Sequence, residues 1–423
     1  MNRKFRAARG RSLHIERLEA RRVMAGNILA EVIDGSLFID GDELANGIAI
    51  EATGIPSEVR LIPVPAVAGD VTYLNDQTGH LTFEVTEDIV IRMGAGNDGV
   101  ELNNVYVPRD LTIDTGDGLD RVSIGSVIGP EGKAVAPYVA WPPAGEVVPG
   151  GMIVDPNYVP TYTVGEVVPA LFTPLNQTPG IVMVARDLSI DTGNASDYVY
   201  LGQSQVVANF ALRSGEGDDV LVMYTVSARR MDAGMGRGHD LANIANLSTR
   251  VQMTLETGFG NDFVSYAGSY ARGPATFLGG HDNNQFYIGT SVFSSTLYAA
   301  MGADNDYVSV KSSMLLGNSA FITGNGSDRV DLDYSFGRFL SFDTGAAVDA
   351  LVIRGCALDG IYASLGDGDD HLSLVGSRIL NPFVIDGGLG ANDVLHTYGS
   401  AMYYLGTPGF EHKTSNWPWW LTM

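Results

Sequence analysis

Short runs of alternating apolar and polar residues recur along this chain, in pairs that flank a glycine turn. Leu111 and Ile113 stand five and three residues before Gly116, and Val122 and Ile124 six and eight after it. The same frame places Leu188, Ile190, Val199 and Leu201 around Gly193, Met253, Leu255, Val264 and Tyr266 around Gly258, and Ile361, Ala363, Leu372 and Leu374 around Gly366. A period of two is the pattern of a strand with one buried face, and the β-branched content agrees with it. Each unit therefore reads as strand, tight turn, strand. About ten residues are left over per unit, enough for a third short strand and its corners.

The turn first appears clearly as Gly94-Ala95-Gly96-Asn97-Asp98 and returns at Gly116, Gly193, Gly215, Gly236, Gly258, Gly280, Gly302, Gly324, Gly345, Gly366 and Gly388, at intervals of 21 or 22 residues except across one gap. A fixed period of this length is the signature of stacked repeats. The fourth residue after the opening glycine is Asp98, Asp120, Asp197, Asp219, Asp240, Asp262, Asp306, Asp328, Asp349 or Asp370, with Asn284 and Asn392 in the other two copies. Identical units that cannot bury an inner face alone are expected to stack in parallel. The predicted fold is all-β, a parallel β-helix with 21–22-residue coils and one Gly-x-Gly-x-Asp turn per coil.

Residues 1–26 form a basic leader, residues 27–90 an amino-terminal cap with degenerate first coils, and residues 88–395 the β-helix. Leu37 and Ile39 before Gly41, and Ile48 and Ile50 after Asn46, carry the pattern weakly through the cap. Between Gly116 and Gly193 the period breaks, and the surplus, residues 129–180, holds ten of the eighteen prolines. So long a proline-rich segment must leave the stack. Residues 396–423 contain Tyr403, Tyr404, Trp417, Trp419 and Trp420 and read as an aromatic carboxy-terminal cap.

Charge sharpens this division. The formal net charge is -23, yet residues 1–22 carry a local excess of six positive charges, leaving -29 on the remainder. Such a body repels nucleic acid and attracts cations. Nothing in the sequence has the length and apolarity of a transmembrane span. Cys356 is the only cysteine, so no intrachain disulfide exists.

Coils stacked ~4.8 Å apart bring successive turn aspartates into a column of like charge, with about 3.5 kcal/mol of repulsion per neighbouring pair at an effective dielectric near 20. Either turn amides donate hydrogen bonds to the carboxylates, or cations lie between them. The turns beginning at Gly116, Gly215 and Gly366, with Asp117-Gly118-Leu119-Asp120, Glu216-Gly217-Asp218-Asp219 and Asp367-Gly368-Asp369-Asp370, resemble the RTX nonapeptide repeat. That resemblance implies Ca²⁺ held between coils, with Asp98, Asp120, Asp197, Asp219, Asp240, Asp262, Asp306, Asp328 and Asp370 as the metal-ligating candidates. Ca²⁺ takes six to eight oxygen ligands, backbone carbonyls included. Here one turn occurs per coil rather than every nine residues. Ala195, Asp282, Asp304 and Ala347 replace the second glycine in four turns, and an ion is less expected in those that open at Gly280, Gly302 and Gly345.

An enzymatic alternative rests on adjacent carboxylates, Asp218 with Asp219 and Asp367 with Asp369 and Asp370, which could serve cleavage of a polysaccharide. Arg109, Arg186, Arg229 and Arg338 each precede an opening glycine by seven residues. A catalytic site should be a local departure from the repeat, whereas these acidic turns recur; His239, His281 and His371 have no zinc-site spacing. The stretch from Ile15 through Glu16-Arg17-Leu18-Glu19-Ala20-Arg21-Arg22 to Gly26 resembles the LEPR-XLL motif of planctomycete-type secreted and cell-surface proteins, with Ala20 in place of the proline. That resemblance implies export. The expected function is an exported, calcium-stabilised structural or adhesive protein at the cell surface or outside the cell. Its expected partner is a surface polysaccharide or protein, met by residues 129–180 or the aromatic carboxy terminus. The alternatives are a carbohydrate-active β-helix enzyme and a metal-free solenoid module of an envelope assembly.

Overall fold

Alternating sequences become strands because each exposes one row of side chains to water and sends the other into a shared interior. The computed structural model describes residues 26–66, 71–125, 180–404 and 408–415, and every regular element among them is a β-strand. The basic leader with its motif, the proline-rich insertion and the three carboxy-terminal tryptophans lie outside the described residues.

The coils are three-sided. One coil comprises strands Phe263–Ala267, Tyr270–Ala271 and Ala275–Leu278, and the next comprises Gln285–Gly289, Val292–Phe293 and Leu297–Ala300. Each strand pairs in parallel with its counterpart one coil later: Phe263 with Gln285, Tyr270 with Val292, Ala275 with Leu297. This is the parallel β-helix that the spacing predicts. Coil boundaries survive the long gap. Arg121–Ile124 pairs directly with Tyr198–Val206, so the coils on either side of the insertion stack as neighbours.

At the amino-terminal end the chain changes hand-holding. Asn27–Ile33 and Ser36–Asp40 form an antiparallel hairpin whose second strand joins Ile89–Arg92 in parallel. Gly47–Ala52 continues one wall of the stack and also turns back antiparallel onto Glu58–Pro63. Among the described residues no helix is long and apolar enough to cross a membrane.

The interior is a continuous apolar column. Leu111, Ile113, Val122, Ile124, Leu188, Ile190, Val199 and Leu201 are all buried, as their alternation requires. Aromatic side chains thicken the middle: Tyr266 meets Phe277 edge-on at 5.3 Å, and Phe277 meets Phe286 at 6.1 Å. Edge-on contacts suit the ring quadrupole.

The opening glycine is fixed by steric necessity. A Cβ on Gly236, which has φ +103°, would lie 1.8 Å from the Gly215 carbonyl oxygen. Close approach of backbone to backbone at this corner sets the stacking distance, and only glycine permits it. Gly236→Ala is expected to destabilise the fold by about 3 kcal/mol or more, combining overpacking with a strained φ. Gly289→Ala, where a Cβ meets nothing within 4 Å, should change stability little. Urea melts of the two variants check this; equal losses would contradict the account.

Candidate functional site: the aspartate ladder

The fourth residue of each turn faces inward and is almost fully buried: Asp98 is 3 % exposed, Asp262 and Asp328 0 %. Each backbone N–H in this row donates to the side-chain Oδ1 of its counterpart one coil later. Asp98 donates to Asp120 at 2.8 Å, Asp120 to Asp197 at 2.8 Å across the insertion, Asp197 to Asp219, Asp219 to Asp240 and Asp240 to Asp262. The row continues through Asn284, Asp306, Asp328, Asp349 and Asp370. It begins at Asn46, whose N–H donates to Asp98, and ends where Asp393 donates to Glu411.

All nine sequence-derived metal candidates lie in this one row, together with Asp349. The last coil departs from the sequence expectation. Asp370 donates to Asp393, not to Asn392, because that turn carries one extra residue; the Asn392 side chain lies outside and donates to Asp369. The missing second glycine breaks nothing. Asp282, Asp304 and Ala347 take positive φ values of 68°, 75° and 90°, and the row passes through their turns unchanged.

Two further rows were not foreseen. On the outer side of the same turn, the N–H of His239 donates to Asp218 Oδ1, Asn261 to His239 Nδ1, Asn283 to Asn261, Asn305 to Asn283 and Ser327 to Asn305. This outer row runs in the opposite sense to the inner one. At the second corner, Ser269, Ser291, Ser313, Ser335, Cys356, Ser377 and Ser400 form a third row through amide-to-side-chain contacts. Each follows a residue of positive φ, such as Gly268, Thr290 or Tyr334. The 22-residue recurrence of serine was the available signal.

The inner row leaves one atom over per coil. The Oδ2 atoms of Asp98, Asp120, Asp197, Asp219, Asp240, Asp262, Asp306, Asp328, Asp349, Asp370 and Asp393 are buried and accept no hydrogen bond. Burial pushes these carboxyls far above the usual range: Asp98, Asp197, Asp306 and Asp349 to about 8, Asp120, Asp219 and Asp262 to about 7, Asp370 to about 6. Amide donation to the carboxyl opposes the rise. Asp240 climbs furthest, to about 9. Met235 precedes its turn, whereas Thr115, Thr192, Ser214 and Thr257 place a hydroxyl beside Asp120, Asp197, Asp219 and Asp262 that favours their ionised forms.

Asn284 reveals what Oδ2 faces. Its Oδ1 accepts the Asp262 amide like any other member, while its Nδ2 donates to the carbonyls of His281 and Asp282 at 3.3 and 3.1 Å. Asn46 Nδ2 likewise donates to the carbonyls of Asp42 and Leu44. At these two members the position faces carbonyl acceptors and is satisfied by a neutral donor. A protonated Oδ2 is such a donor.

Ca²⁺ would need many oxygens at once, and the turns have already committed most of theirs. Oδ1 accepts an amide in every coil, and the carbonyls of Gly215, Gly236, Gly258 and Gly345 accept the N–H of Arg237, Phe259, His281 and Asp367. Among the described residues no group of three His, Cys, Asp or Glu side chains converges to hold a metal. Every aspartate Oδ1 of the row is thus an amide acceptor, and the free Oδ2 atoms are the feature of these turns that would attract a cation.

In two of the adjacent pairs of the enzymatic reading, Asp218 with Asp219 and Asp369 with Asp370, the carboxyls diverge, while Asp367 and Asp369 are both exposed. Asp219 and Asp370 point into the stack, whereas Asp218 and Asp369 belong to the outer row, where Asp369 accepts the amides of Ala391 and Asn392. Two carboxyls on opposite sides of a turn cannot flank one glycosidic bond. Arg109 and Arg186 make exposed ion pairs with Glu87 and Asp110. The repeat is broken elsewhere: Asp331 lies 3.0 Å from Arg329 and accepts the Tyr307 hydroxyl at 3.0 Å, while Arg354 grips Asp333 with two hydrogen bonds. Arg329 and Asp331 are 3 and 2 % exposed, out of reach of a polymer chain.

No protein-family model matches this chain, and no curated protein matches it in sequence.

Two outcomes are expected from this geometry. The folded pKa values lie above the unfolded one, so the stability from buried neutral carboxyls is complete below about pH 4 and is lost as pH rises through 6 to 9. Melting in EDTA should show a midpoint several degrees higher at pH 5 than at pH 9, and Asp240→Asn should flatten that slope; a midpoint that climbs with pH would refute it. Cys356→Ser, which restores the serine row, should leave the midpoint within a degree or so of the parent, since burial already holds the thiol neutral, pushed up to about 11.

Proposed function

We propose that this chain is an exported structural or adhesive protein that works at the cell surface or outside the cell as a stiff acidic rod. The observation that carries the reading is the uniformity of the turns. Acidic residues that would be an enzyme's working groups serve instead, coil after coil, as acceptors for corner amides, and a repeated role is a structural one. The leader's resemblance to the LEPR-XLL motif supports export. The negative charge of the body supports a solvated, extended state that does not bind nucleic acid.

Calcium bound along the inner row is the alternative state of these turns that experiment separates from a metal-free ladder. In favour stands the row of Oδ2 atoms without partners; against it stand the turn carbonyls already engaged and the amide groups of Asn46 and Asn284 that satisfy the same position. Thermal unfolding in EDTA and across a Ca²⁺ titration, with Mg²⁺ as control, separates the two. An ion bound to the folded state must raise the midpoint with its concentration. The geometry leads us to expect a shift no larger for Ca²⁺ than for Mg²⁺ at pH 6. A large rise with Ca²⁺ alone would establish the metal ladder and displace the proton. Export is tested by fractionating cells that express the full chain or a form without residues 1–26: the full chain should leave the cell and the shortened form should stay, and retention of both would overturn the reading.

A further inference from the structure

The strands that precede the aspartate turns form a wall whose outer face is interrupted by a groove of about 490 Å³. Two rows of outward side chains build it. In the first, register pairs Tyr298 with Ala320, Ala320 with Ser341 and Ser341 with Tyr362, so two tyrosines bracket two small residues. Three coil spacings separate the tyrosines, about 14 Å along the axis. In the second row Phe339 pairs with Gly360, and a Cβ on Gly360 would lie 2.7 Å from the Phe339 ring, so the glycine exists in this register as a seat for that ring. Tyr298, Phe339 and Tyr362 are 39, 45 and 53 % exposed, large aromatic surfaces left in water around a floor of Ala320 and Ser341.

The polar groups of the site are hydroxyls and an amide, including Asn318 and Ser341, and none of the lining residues carries a charge. The net charge of -23 repels polyanions, and a lining without charge has no carboxylate with which to hold a cation. Aromatic faces flanked by a few fixed hydrogen-bonding groups are the composition of a specific small-ligand site, and tyrosine supplies an apolar face and a hydroxyl together. An uncharged sugar ring presents the complement, an apolar C–H face edged by hydroxyls.

We propose that this groove binds an uncharged carbohydrate chain, with Tyr298, Phe339 and Tyr362 as stacking platforms over the Ala320 and Ser341 floor. The inference deepens the adhesive side of the proposed function and moves its contact surface from the insertion and the aromatic end to the wall of the stack. It is tested on purified full-length protein, so its failure is distinct from a failure of export.

The probes are native electrophoresis through gels containing hydroxyethylcellulose, xyloglucan, laminarin or dextran, with alginate as the acidic control, followed by calorimetric titration with the matching hexasaccharide. Retardation by at least one neutral polymer and not by alginate is expected. Tyr298→Ala and Tyr362→Ala should each weaken binding about five- to tenfold, and Ala320→Trp, which fills the floor from outside the core, should abolish it. These positions face away from the interior, and a melting midpoint equal to the parent's verifies folding for each. Absence of retardation by every neutral polymer, binding indifferent to all three substitutions, or a preference for alginate would each overturn the proposal. A concentration-dependent dimer that Tyr362→Ala dissolves, without sugar binding, would assign the groove to a second copy of the chain instead.

Discussion

A backbone amide that turns a corner inside a stack of strands has no ladder partner of its own and no water to replace one. Buried N–H groups without an acceptor are costly, so every corner of a β-helix must supply acceptors at the spacing of its coils. Side chains do this here, in rows that extend beyond any one coil. Asp98 to Asp393 serve the inner side of the first corner, Asp218, His239 and the asparagines its outer side, and Ser269 to Ser400 the second corner. The glycine that lets the coils approach so closely, seen at Gly236 over Gly215, is the steric half of the same requirement.

Using aspartate for the inner row creates a difficulty that asparagine avoids. Each carboxyl has two oxygens and the corner offers one backbone amide, so the second oxygen is buried without an amide of its own. Charge there is opposed by burial first and by neighbouring carboxyls next, as at Asp240, which Asp262 and Asp219 flank. A neutral carboxyl removes both penalties and converts Oδ2 into the donor that Asn284 provides with its amide. The outer row has no such conflict. Asp369 stays in water with amides on its oxygens, and its carboxyl is held below the ordinary range by the Asn392 side chain and those amides.

The architecture was legible in the sequence because two independent signals agree: the two-residue alternation around Gly116 or Gly258 and the near-constant interval between turns. The position of the aspartates in one row was equally readable. Their orientation was not. Asp218 and Asp219 are neighbours in sequence, and only the positive φ of the preceding Gly217 directs one outward and the other into the core. The serine row was legible only as a recurrence of single serines about 22 residues apart, because the positive φ that Gly268, Thr290, Ser312 and Tyr334 share just before them has no common side chain to mark it. Asp393 was missed for a simpler reason, since one extra residue in a turn defeats any fixed count. The groove depends on side chains that are absent, Ala320, Ser341 and Gly360, and a frame built from large apolar residues passes over small ones.

The opposed polarity of the inner and outer rows gives the coil a grammar. Every coil presents one inner donor to the unit after it and one inner acceptor to the unit before, and the outer side does the reverse. Successive coils can therefore bond across intervening chain, as the direct bond from Asp120 to Asp197, 77 positions apart in sequence, shows. Asn46 and Glu411 are the two residues that close the inner row at its ends. Length in this molecule is thus a counted quantity, set in whole steps of about 4.8 Å between those two terminators.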